Sequence, residues 1–204
     1  KASSIKRKDL RNTLTFTIDP DDAKDFDDAL SFKKLKNNNV EIGIHIADVT
    51  HYLEKNTLLD KEAKKRATSV YLSDRVVPML PEILSNDLCS LNPNEDKNVF
   101  SVLVEIDNNY NIISKEFSKC LINSNERMSY QEAQHVIENK TEKLPADVTI
   151  TKKKRSLSKE LVEAILKLNS VALKLKEKRK NEGSVFFNKE AVSYTHLTLP
   201  TKSS

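Results

Sequence analysis

Residues 15–48 read TFTIDPDDAKDFDDALSFKKLKNNNVEIGIHIAD, and their pattern sets the fold class. Residues 14–18 are β-prone and alternate in polarity, and they lead through Asp19 and Pro20 into an acidic loop, so a strand followed by a loop is expected. Beyond the loop, residues 29–35 and 40–48 flank the polar turn KNNN and read as an antiparallel hairpin. Because successive strand side chains alternate, Val40, Ile42, Ile44 and Ile46 share one face, with Glu41, Gly43, His45 and Ala47 on the other.

Working outward, Thr57 can cap a helix through LLDKEAKKRAT, after which SVYL turns extended. Prolines 78, 81 and 93 punctuate an irregular segment, VVPMLPEILSNDLCSLNP, expected to wrap over the hairpin. Two more strands, NVFSVLVEID and IISKEFSKCLI, are separated by the turn NNYN. A short helix at residues 130–138 capped by Ser129 and a long one at 156–181 complete the chain. The long helix carries Leu157, Leu161, Ile165, Leu168, Ala172 and Leu175 as one apolar stripe with basic residues elsewhere. No internal repeat is present. The expected fold is α+β: a mixed, mostly antiparallel sheet with surrounding helices.

Composition bounds the function. The chain has 204 residues, 38% of them hydrophobic and 31% charged, enough for a folded domain with a charged surface. No apolar run approaches the roughly 20 residues of a membrane span, and the start, KASSIKRKDLRN, lacks a signal-peptide core, so a cytoplasmic setting without a membrane is expected. Cys89 and Cys120 stand apart, as buried thiols do, rather than in a zinc or disulfide pattern. With Gly43 and Gly183 the only glycines, no glycine-rich phosphate loop exists, which argues against ATP or NAD chemistry. Between residues 152 and 180 eleven Lys or Arg face three Glu, a segment that suits either a solvated helix face or a polyanion.

Asp19, Asp21, Asp22, Asp25, Asp27 and Asp28 crowd into ten residues with only Lys24 of opposite sign, in a chain whose net charge is +4. Such repulsion needs compensation, and hard divalent cations with oxygen ligands are the natural source. A calcium loop of the EF-hand type is excluded because Lys24 and Leu30 stand where Gly and Glu are required. The DDxxD pattern of prenyl transfer occurs once, but between strands rather than on paired helices. Phosphoryl-transfer chemistry on nucleic acid remains, with metal-free acidic surface loop as its competitor; Phe26, an aromatic among aspartates, points to a loop packed on the core.

Taken in order, TFTIDPDDAKDFDDALSF, GIHIADVTHYL, ATSVYL, PMLPEILSNDLCSLNP and RMSYQEA resemble the catalytic (RNB) domain of the ribonuclease II and ribonuclease R family, from about residue 11 to 183. The resemblance implies a hydrolytic 3′-to-5′ exoribonuclease that uses Mg²⁺, acts on the 3′ end of single-stranded RNA and releases nucleoside 5′-monophosphates. It implies Asp19, Asp25, Asp27 and Asp28 as metal ligands, with Asp27 and Asp28 catalytic and Asp27 most critical for cleavage. Tyr71 matches a base-stacking tyrosine and Tyr130 an RNA-lining one, while His45 and His51 are expected to be structural. Flanking cold-shock and S1-type domains and a monomeric state are further implications.

Near Gly183 the chain departs from the family, with Phe186 and Asn188 where acidic residues are common. Residues 1–190 are therefore expected to form a partial RNB domain and residues 191–204 a tail foreign to it. Lys1 in place of Met and the absence of the family's later arginine segment suggest a piece of a longer chain with little activity alone. A non-catalytic RNA-binding protein that keeps the fold is the alternative.

Overall fold

In the computed structural model, which describes residues 6–72 and 75–184, residues 15–48 supply three neighbouring strands of a seven-stranded sheet. The chain enters along β1 (Lys8–Asp9) and β2 (Thr15–Asp19), crosses the acidic loop and makes the hairpin of β3 (Asp28–Lys34) and β4 (Val40–Ala47). Helix α1 (Leu58–Arg66) and a small ribbon of β5 (Val70–Tyr71) and β6 (Val76–Val77) follow. Next come β7 (Asp96–Ile106), β8 (Ile112–Asn123), β9 (Glu126–Ser129) and helix α2 (Tyr130–Asn139). A second ribbon, β10 (Lys143–Leu144) with β11 (Arg155–Ser156), leads into α3 (Lys159–Asn181). The sheet order is β1-β8-β7-β4-β3-β2-β9, parallel at β1–β8 and β2–β9 and antiparallel elsewhere. This is the α+β architecture expected.

Local chemistry explains the punctuation. The KNNN turn closes with Asn38 at φ 65°, a left-handed conformation that Asn tolerates. The Thr57 hydroxyl accepts from the Asp60 N–H at 3.2 Å and starts α1. Helix α3 starts at Lys159, later than expected, because Arg155 and Ser156 are committed to the β10–β11 ribbon and Ser158 supplies the cap. Strands β1 and β9 escaped the sequence reading: at two and four residues they are too short to show a period.

The sheet packs a core on each face. On one, Phe16, Phe32, Val40 and Ile42 pack under α2 and α3 against Val136 and Ile165. On the other, Ala29, Ala47 and Val99 lie beneath Leu80, Leu84 and Leu91, so the proline-punctuated segment does wrap over the hairpin. Both cysteines are free and buried there. The helices cover only part of their face. Val40 and Ile42 are buried, but farther along β4 Ile44 and Ile46 are 41% and 48% exposed, and the buried side chains become His45 and Ala47. Phe100, paired with Ile46, and Phe117 extend this open apolar patch. His51 is exposed in a 3-10 turn. Among the described residues no helix is long and apolar enough to cross a membrane. Phe186, Asn188 and the expected tail at 191–204 lie outside the described residues.

Candidate active site

Adjacent antiparallel strands place the end of one beside the start of the next. Asp19 ends β2 and Asp28 begins β3, so residues 20–27 close a loop over a single end of the sheet. Phe26 anchors that loop: its side chain is buried, its N–H donates to Ser90 Oγ at 3.0 Å and its carbonyl accepts from the Leu91 N–H at 2.9 Å. Asp27 extends the β3–β4 pairing, its carbonyl accepting from the Ala47 N–H at 2.9 Å. With Phe26 fixed inward, Asp25 and Asp27 border a cavity of about 310 Å³ walled by Ile46, Ala47 and Leu80 and flanked by Tyr71. Asp21 and Asp22 are exposed at the loop tip.

The electrostatics single out two of the carboxylates. Burial, then the charges of Asp28 and Asp25, raises the pKa of Asp19 above the ordinary carboxylate value; Thr17 and the Arg127 charge oppose this. Asp27 is also raised, first by desolvation on its cavity side, although much of the residue is open, and then by Asp25, Asp28 and Asp19. The neighbouring carboxylates therefore disfavour the charged forms of Asp19 and Asp27. Asp19 Oδ2 is buried and has no hydrogen-bond partner.

These features suit a hard cation: all donors are oxygen, one is buried without a partner, and the excess negative charge is mutual. Among the described residues, however, no three His, Cys, Asp or Glu side chains stand close enough to close a metal cage. Mg²⁺ keeps several of its waters when bound, so an incomplete set of protein ligands is compatible with it.

The two tyrosines flank the same end of the sheet. Tyr71 is 69% exposed, and its hydroxyl lies 3.4 Å from Asp25 Oδ2. Tyr130 is exposed and follows Ser129, whose register partner across the β2–β9 pair is Asp19. The basic end of α3 is elsewhere: Lys174 and Lys178 border the 109–111 turn beyond β7. The 8 residues of β4, at about 3.3 Å each, put that turn roughly 25 Å from the aspartates. His45 is fully buried between Ser31 and Ser101, away from any reacting group. The sequence reading missed Ser90 and Arg127, both of which grip the acidic loop. Arg127 stood in the RMSYQEA segment, but its side chain meets the loop only because β9 pairs with β2.

The fold is a mixed, mostly antiparallel α+β sheet with an acidic loop between two strand ends, and the family model for the RNB domain matches residues 7–201. The chain belongs to the RNB-domain family. It is 43% identical over 194 residues to DIS3-like exonuclease 2 of Schizosaccharomyces pombe, covering 93% of this chain and 20% of that protein. Mycoplasma genitalium RNase R, solved in complex with ribose-methylated single-stranded RNA, superposes with a TM-score of 0.76 at 30% identity, covering 88% of this chain and 26% of that one. Yeast Ssd1, a pseudonuclease, shares the fold at 24% identity and a TM-score of 0.60, covering 65% of this chain and 16% of that one. The chain spans about a fifth of the length of the curated relatives it matches.

Proposed function

We propose that this chain is the metal-holding part of a Mg²⁺-dependent exoribonuclease that removes nucleoside 5′-monophosphates from the 3′ end of single-stranded RNA. The observation that carries the reading is that Asp19, Asp25, Asp27 and Asp28 belong to one loop between the end of β2 and the start of β3, where Asp19 and Asp27 each sense the charge of their neighbours. These four would hold the cation, with Asp27 and Asp28 nearest the chemistry. Bound there, a divalent cation supplies an activated water and stabilises the leaving oxygen of an in-line displacement. The side chains themselves bind and orient: Tyr71 offers an exposed ring on which a base can stack whatever its identity, and Tyr130 lines the approach. Similarity to an RNase R solved both with single-stranded and with double-stranded RNA supports RNA as the substrate class.

Because the chain matches about a fifth of its relatives, little turnover is expected from it alone. Cold-shock and S1-type flanking domains, a monomeric state and a cytoplasmic setting are parts of the same proposal for the whole protein. The second reading is an RNA-binding protein without hydrolysis, favoured by the unclosed metal cage. The deciding experiment uses 3′-end-labelled single-stranded RNA and Mg²⁺, with this chain and a version extended to its relatives' length. Release of labelled mononucleotide by the extended protein, lost in Asp27→Asn with RNA binding retained, supports the nuclease. RNA binding without release supports the second reading.

A further inference from the structure

The parallel register of β2 and β9 sets Arg127 opposite Thr17. Its Nη2 lies 2.9 Å from the carbonyl oxygen of Asp21, 3.1 Å from that of Ala23 and 3.3 Å from that of Pro20. The guanidinium carbon stands 4.8 Å from the centroid of the Phe26 ring. All four contacts belong to the acidic loop. Ser90 and Leu91 hold the backbone of Phe26, so the loop is gripped at two separate points. Four buried side-chain polar atoms lack a hydrogen-bond partner among the described residues, and three of them are Thr17 Oγ1, Asp19 Oδ2 and Arg127 Nε on this pair of strands. A guanidinium suits such a place because it stays charged, presents a rigid fan of donors and can lie over an aromatic face.

We propose that Arg127 is the positioning residue of the acidic loop: by tying the carbonyls of residues 20–23 and the Phe26 ring to β9, it keeps the loop aspartates gathered against their own repulsion before any cation arrives. This deepens the metal-site reading above and rests on it. Positive charge beside the loop offsets part of the repulsion, and the carbonyl contacts fix the backbone from which the carboxylates project. Residues that orient a ligand set in this way typically change metal affinity by about 10- to 100-fold when lost.

The test compares the wild-type chain with Arg127→Met, which keeps an apolar stem but loses charge and donors, and Arg127→Lys, which keeps charge but loses the fan of donors. In EDTA, the amides of Ala23 and Phe26, which donate to the Pro20 carbonyl oxygen and Ser90 Oγ, are expected to exchange hydrogen about tenfold faster in Arg127→Met, and by a smaller factor in Arg127→Lys, while those of β7 and β8 keep their rates. Calorimetric titration with Mn²⁺ is expected to show affinity about tenfold lower in Arg127→Met, with affinity for single-stranded RNA in EDTA unchanged. Unchanged loop exchange overturns the clamp, as does unchanged Mn²⁺ affinity in both variants when Asp27→Asn abolishes binding. Equal Mn²⁺ binding by wild type and Asp27→Asn overturns the metal-site reading instead, and loop exchange then decides the clamp alone. If β7 and β8 also lose protection in Arg127→Met, Arg127→Lys carries the comparison.

Discussion

His45 shows at the residue scale how an ionisable group can be structural. Its Nδ1 lies 2.8 Å from Ser101 Oγ and its Nε2 2.9 Å from Ser31 Oγ, and burial pushes its pKa from 6.5 down to about 4. Gly43 makes room for the ring: an added Cβ would stand 2.5 Å from Nε2 and closer still to Ser31 Oγ. Between pH 6.5 and 4 the unfolded histidine takes up a proton that the folded one refuses, so acid favours unfolding across that window. Stability should fall by about 1.4 kcal/mol per pH unit there, about 3 kcal/mol in all. Urea denaturation at pH 7 and pH 5 checks this: the loss of stability should be smaller in His45→Gln, and an equal loss in both proteins would remove His45 as its source. Asp48, held near pKa 2 by Thr50, Arg7 and Lys119 against its burial, acts in a separate window, its contribution being lost as pH falls from 3.8 through 2.

At the scale of elements, the joint between β9 and α2 matters most for the site. The Ser129 hydroxyl accepts from the Glu132 N–H at 3.1 Å, and the Glu132 carboxylate accepts from the Ser129 N–H at 2.9 Å and from Arg155 at 3.1 Å. This capping box starts α2 beside Asp19 and fixes Tyr130 at the site's rim. Ser129→Ala should cost about 1 kcal/mol of stability, measured by thermal unfolding. A loss several times larger would mean that the β2–β9 pairing itself depends on the cap. Ser129 was legible in the sequence as a cap; its place beside Asp19 was not, because that depends on a parallel pairing across more than 100 residues, Asp19 to Ser129.

At the scale of the whole molecule, the charge distribution and the acidic loop make a common prediction. A ligand that binds only the folded state stabilises it, by about 2.7 kcal/mol when present at 100 times its dissociation constant. Mg²⁺ should therefore raise the melting temperature of the wild-type chain, EDTA should reverse the rise, and Asp27→Asn should show none. The same rise in wild type and variant would place the cation elsewhere. The basic end of α3, at the far end of the sheet from the aspartates, can add electrostatic attraction for RNA only along a path crossing the molecule.

The sequence by itself determined the strands of the hairpin and of the β7–β8 pair, the three helices, the caps of α1 and α2, and the acidic loop between two strands. Those features are written in local periodicity and in side chains that bond to nearby backbone. Tertiary structure alone decided which face of β4 is buried at each point, because helix cover stops partway along a twisted sheet and apolar alternation cannot report where cover ends. It also decided which cation meets the aspartates. Lys24 is their neighbour in sequence, but the parallel β2–β9 pairing brings Arg127 to the loop from more than 100 residues away, and only the folded chain makes that contact.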